Sequence, residues 1–266
     1  YELDLCAPEV NPNNVAGDLD YVATGLLTVQ GNGATIEQTC PGERLFEVHS
    51  SPVVLEDLRL TGGDADGAVV RFSGDLTLDG IEAFGNHGEE LLEGNIAPGQ
   101  DHEILDSTFV AEPDNERALY SSDAESVEVH GSSFRGFGSQ AVHSGESGAP
   151  VWITDSTFVG NGHVDPGVGG AVSANGPIDV SGSSFVDNVG ANGSALRSGD
   201  GGIDADTSTF VGNQLEGSIG GALYSIDLNA NPADNTVELS HVTLWDNTEA
   251  DGDPANVESA GPLTSF

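Results

Sequence analysis

VWITDSTFVGN, residues 151–161, returns along the chain as IDVSGSSFVDN (178–188), IDADTSTFVGN (203–213) and VELSHVTLWDN (237–247). Looser copies lie upstream: VEVHGSSFRGF (127–137), HEILDSTFVAE (102–112), LTLDGIEAFGN (76–86) and VVLEDLRLTGG (53–63). Aligned on Phe158, the anchors are Leu60, Ala83, Phe109, Phe134, Phe158, Phe185, Phe210 and Leu244, spaced by 23, 26, 25, 24, 27, 25 and 34 residues. A period in the twenties marks a solenoid, in which one short unit stacks on the next. Inside each unit the apolar residues alternate with period two, the pattern of a strand with one buried face. In the reference copy Val151, Ile153, Ser156 and Phe158 are expected to point inward, with a bend near Asp155, while Trp152 and Thr154 point out.

The turn after each anchor is polar at a fixed place. Asn86, Asn161, Asn188, Asn213 and Asn247 each follow their anchor by three residues. Asn tolerates left-handed backbone, and its amide both donates and accepts, so an inward ladder of Asn would bond coil to coil. A shorter strand follows, opening on Gly-Ala-apolar at 67–69, 170–172 and 221–223, with looser copies at 117–119, 140–142 and 194–196. With no helical periodicity, these strands predict an all-β fold, a right-handed parallel β-helix of about nine coils of ~25 residues. Residues 1–25, with Pro8, Pro12 and the Asn13-Asn14 pair, read as an N-terminal cap, and residues 26–266 as the β-helix. The last residues, 255–266, read as an unfinished coil, so end-to-end association or continuation of the stack is expected.

Composition narrows the partners. Forty-four Asp plus Glu face six Arg and no Lys, a net charge of −38. Nucleic acid is excluded as a partner, because its affinity rests on Lys and Arg at phosphates. No apolar run approaches the roughly 20 residues that span a bilayer as a helix. The two cysteines, Cys6 and Cys40, suggest a disulfide pinning the N-terminal segment to the first coil, and with it an oxidising, secreted or cell-surface setting.

The motif pair resembles the right-handed parallel β-helix families of the pectate-lyase-like superfamily. It is closest to the choice-of-anchor Q surface proteins and the polymorphic outer-membrane adhesins, whose repeats pair GGA-apolar with FxxN. The residues that carry the likeness are Phe158–Asn161, Phe185–Asn188 and Phe210–Asn213 for FxxN, and Gly169–Val172 and Gly220–Leu223 for GGA-apolar. It covers about residues 26–250. Glu112 and Phe137 stand where the first two Phe copies should carry Asn, which predicts a bend or bulge there. The resemblance implies the fold and leaves the activity open, because one β-helix hosts many chemistries.

Stacking turns distant residues into columns. The outward position of the short strand is read as Val70, Leu92, Tyr120, His143, Ser173, Arg197 and Tyr224. Within it Tyr120, His143, Arg197 and Tyr224 form a candidate glycan-binding strip, with flat rings for sugar faces and donors for hydroxyls. On the long strand, Asp179, Asp204, Asp206 and Glu238 fall on three adjacent coils. Like charges about 5 Å apart would be relieved by a hard cation, which makes them candidate ligands for weak Ca2+ binding; no cofactor is otherwise required. The lyases of the superfamily pair calcium with an Arg or Lys base, and Lys is absent here; the hydrolase signatures are absent too. The expectation is therefore a secreted or cell-surface module, adhesin-like, that presents an acidic face to an extracellular glycan or surface protein. The alternatives are a polysaccharide lyase or glycoside hydrolase on the same fold, and a structural spacer or filament subunit.

Overall fold

A computed structural model describes residues 1–3, 18–49, 51–65, 68–94, 99–145, 148–162, 170–217, 220–226, 235–259 and 263–265. Among these residues every regular element is a β-strand and no helix occurs. The ladders between successive coils are parallel and in register, giving a β-solenoid of about eight turns. The anchors stack as aligned from the sequence: Phe134 pairs with Phe158, Phe158 with Phe185, Phe185 with Phe210, and Phe210 with Leu244.

From Leu76 on, a coil contributes two strands to one bent wall and a third to a straight wall. Before it Leu27–Gln38 and Val53–Thr61 pass the corner as single strands, and Val189–Gly190, Gln214–Leu215 and Thr248–Glu249 form a small third sheet. In the reference coil the bent wall takes Val151–Thr154 and Thr157–Val159. The corner between them needs left-handed backbone. Asp106, Asp155, Thr207 and His241 have φ of 45°, 51°, 49° and 54°, and Gly80, Gly131 and Gly182 stand at the same place in their coils at 66°, 59° and 60°. Asp and Gly accept this conformation readily, whereas the β-branched Thr207 holds it under strain.

Among the buried columns of the core, three stack rings or carry hydrogen bonds from coil to coil. Five Phe rings, from Phe109 to Phe210, stack with centroids 4.8–5.1 Å apart and planes within 8° of parallel. The spacing of the rings follows the ~4.8 Å rise between paired strands and falls in the range of favourable aromatic stacking. The inward Asn ladder is present: the backbone N–H and the side-chain amide of Asn161 both donate to Asn188 Oδ1, at 3.0 and 2.9 Å, and Asn188 repeats this onto Asn213. A serine ladder runs beside it. Ser107, Ser132, Ser156, Ser183 and Ser208 are buried just after the corner. The Ser156 hydroxyl donates to the Thr154 carbonyl at 2.8 Å and accepts the Ser132 N–H at 3.1 Å. The hydroxyls thereby satisfy backbone N–H groups that the corner withdraws from the strand ladder.

The two coils that lack Asn keep their register. The Phe137 N–H donates to Asn161 Oδ1, ending the ladder, and Phe137 itself is buried. At Glu112 the role passes three residues on: the buried Asn115 accepts the Glu112 N–H at 2.7 Å and donates to the Gly88 carbonyl at 2.8 Å. The described ladders slip elsewhere, between Gln100 and Asp101 and between Gln30 and Ala34.

Within the predicted cap, Glu2–Leu3 pairs with Glu37 and Gln38 on the bent wall, and Leu19–Tyr21 pairs with Phe46–Val48 on the straight wall. Residues 4–17 lie outside the described residues, and so does Cys6; Cys40 is buried at the end of the first long strand. At the other end Leu263–Ser265 pairs with 237–239.

Candidate functional site

The straight wall needs one correction. Its outward column is Asp20, Glu47, Arg71, Glu93, Tyr120, His143, Ser173, Arg197, Tyr224 and Glu258. Val70 and Leu92, placed in it from sequence, point inward and stack under Leu119. The early strands Ala68–Phe72 and Glu90–Gly94 run to five residues and begin with adjacent buried side chains. Alternation therefore cannot fix their parity, and the alignment is off by one in these two, whereas Arg117–Ser121 keeps the predicted register, with Leu119 inward and Tyr120 outward.

The correction concentrates the cations. Four of the six Arg, at 44, 71, 117 and 197, serve this wall. Tyr120 and His143 stack at 5.3 Å and 4°. The Arg117 guanidinium lies over the Tyr120 ring, 5.4 Å from its centre. Glu90 fixes that guanidinium at 2.7 Å, and Gln140 accepts from its Nε at 3.3 Å. Burial pushes the Glu90 carboxyl up, and Arg117 pulls it back. Arg71 pairs with Glu93 at 2.8 Å. Of these groups, Arg71, Glu90, Glu93 and Tyr120 line a cleft of about 590 Å3, together with Asp64 and Asp114.

Tyr120, His143, Arg197 and Tyr224 do share one column, but it is not one open surface. Ser173 is fully buried and Tyr224 is 7% exposed. Arg197, half-buried, donates to Ser173 Oγ at 3.3 Å, and burial depresses its guanidinium. Burial also raises the Tyr224 phenol, with Glu258 adding to the effect. The exposed recognition groups are thus gathered toward Tyr120, in the N-terminal half of the wall.

Two histidines are held neutral. Burial lowers His143 to about 4, with Arg117 and Arg197 reinforcing it. His102 points into the core edge-on to Phe72, and burial lowers it to about 4. Unfolded, each titrates near 6.5, so between pH 6.5 and 4 the unfolded chain holds more protons and stability falls as the pH falls. The linkage is at most about 3 kcal/mol for each ring. Asp18, raised to about 6 chiefly by burial, opposes the trend below that pH. His102 stacks between Leu76 and Val127 in an apolar column, so His102→Leu should flatten the acid limb of a urea-midpoint profile. An unchanged slope in that variant would contradict the assignment.

The bent wall places Asp179, Asp204 and Glu238 on consecutive rungs, with Asp206 two residues along from Asp204. Burial, then Asp179, Glu238 and Asp206, raise the Asp204 carboxyl. Two of the four already have protein donors. The Trp152 indole N–H donates to Asp179 at 2.9 Å, and His241 lies 3.3 Å from Asp206. Among the described residues the ligand atoms that converge are those of Asp20, Glu47 and His49, within 4.8 Å of one another at the start of the straight wall. This trio was missed because Asp20 falls in the segment read as cap. Laying Leu19-Asp20-Tyr21 over Phe46-Glu47-Val48 would have found it.

No protein-family model matches this chain, and no curated protein does.

Proposed function

We propose that this chain is a binding module of secreted or cell-surface type, related to the pectate-lyase-like β-helix proteins and nearest the choice-of-anchor Q group. It would hold an extracellular glycan or surface protein in the cleft beside Tyr120. The observation that carries this reading is the gathering of Arg71, Arg117 and the Tyr120–His143 stack on one wall of a chain with net charge −38. A ring held by the His143 stack and the Arg117 guanidinium loses little entropy on binding, and Arg71, Glu90 and Glu93 in the cleft supply directional donors and acceptors for hydroxyls. A divalent cation at Asp20, Glu47 and His49, which offer two carboxylates and an imidazole nitrogen, or beside Asp204, where the ligands are carboxylates, belongs to the same reading.

Tyr120→Ala should abolish retention on the arrayed glycan or protein that the wild type binds, with the melting temperature little changed. Equal retention by the variant would remove the cleft from the reading. The enzyme alternative predicts release of reducing ends or unsaturated product from that glycan, and the spacer alternative predicts neither binding nor turnover.

A further inference from the structure

The outer face of the three-residue strands beyond the corner carries a second surface. Each of these strands buries its anchor and turns its two flanking residues outward. The residues before the anchor form a column of Thr108, Ser133, Thr157, Ser184, Thr209 and Thr243. Those after it form a column of Val110, Arg135, Val159, Val186, Val211 and Trp245. Phe84, which follows Ala83 as Val110 follows Phe109, heads the second column. Two charges fall in the two columns, Arg135 and, on the coil of Phe84, Glu82, which pairs with Arg59 at 2.7 Å, on a protein with 44 carboxylates. Apolar exposure concentrates here as well: Trp245 is 70% exposed, Phe84 42% and Val110 38%. Among the described residues, the other large apolar side chains exposed to this degree, Tyr1, Leu19, Val22 and Leu26, lie at the N-terminal end.

Dimensions and charge select the occupant. Six rung spacings of ~4.8 Å make the stripe about 29 Å long, and two flanking positions make it about 7 Å wide. A self-complementary contact on such a strip would bury on the order of 300 Å2 per copy, well short of the roughly 800 Å2 of a stable interface. A polyanion would meet the repulsion of the whole molecule, and a polycation would be drawn to the carboxylates on either side. An extended peptide would look for unpaired strand edges, and the stripe offers side chains only. What remains is a long, narrow and neutral ligand with hydroxyls on one flank and apolar ring faces on the other. We propose that the stripe binds a linear neutral polysaccharide lengthwise, its hydroxyls on the Ser/Thr column and its ring faces on the Val column, with Trp245 stacking on a sugar at one end.

This surface lies on the bent wall and is independent of the cleft at Tyr120. The test uses the full chain against linear neutral hexasaccharides of glucose, mannose and xylose, with a hexauronate as the charged control. At least one neutral hexasaccharide should bind and the hexauronate should not. Trp245→Ala and Val186→Asp should each weaken binding about tenfold or more. Trp245 is exposed, so its variant decides the matter even if Val186→Asp fails to fold. The proposal is overturned if no neutral hexasaccharide binds, if the hexauronate binds equally well, or if Trp245→Ala binds like the wild type. It is also overturned if sedimentation shows a dimer that Trp245→Ala dissociates.

Discussion

Asn188→Leu should cost about 3–5 kcal/mol of unfolding free energy, although leucine matches the side chain in size. Asn188 Oδ1 accepts two donors from Asn161, and its Nδ2 donates to the Phe158 carbonyl at 3.1 Å and to Asn213 Oδ1 at 2.9 Å. Leucine leaves the Asn161 backbone N–H, fully buried, with no acceptor, and strips one bond from the Phe158 carbonyl. Each such orphan costs roughly 1–3 kcal/mol, because the desolvation of the group is no longer offset. The loss should be greater than for the same change at Asn247, which lies near the end of the ladder, because a central rung couples to neighbours on both sides. Urea denaturation of the two variants checks this. A loss under about 1 kcal/mol at Asn188 would mean that the ladder does not bear on stability.

Phe185→Ala should be comparably severe, at about 3–5 kcal/mol. Its ring lies 4.9 Å from both Phe158 and Phe210, fully buried, and the strands above and below hold those rings in place. The coils cannot close the gap without breaking register, so the cavity persists and the cavity cost is added to the lost transfer energy. Phe185→Leu keeps most of the volume and should cost about half as much or less. A thermal melt in which the alanine variant matches the leucine variant would show that the stack relaxes, contrary to the packing described.

The fold was legible because the solenoid repeats its register. Once one coil is read, every coil repeats the same inside and outside, and a strict period exposes both. The bend at Asp155, the Asn ladder, the Phe stack and the placing of Asp179, Asp204 and Glu238 on adjacent coils could be named from spacing alone. The serine ladder was half visible. Ser156 read as inward, but its hydrogen bonds to the neighbouring coil depend on the corner geometry and cannot be inferred from residue type.

What spacing could not settle is equally specific. Strands such as Glu90–Gly94 begin with adjacent buried residues, so only the ladder decides that Arg71 and Glu93, not Val70 and Leu92, face outward. The burial of Ser173 and Tyr224 is likewise tertiary, since alternation tells which way a side chain points and nothing of what lies over it. The convergence of Asp20, Glu47 and His49 joins two coils through a strand pairing that composition hid. Periodicity is a local, one-dimensional property that a sequence records directly. The depth of a cleft and the meeting of side chains are three-dimensional, and they arise only when the coils close on one another.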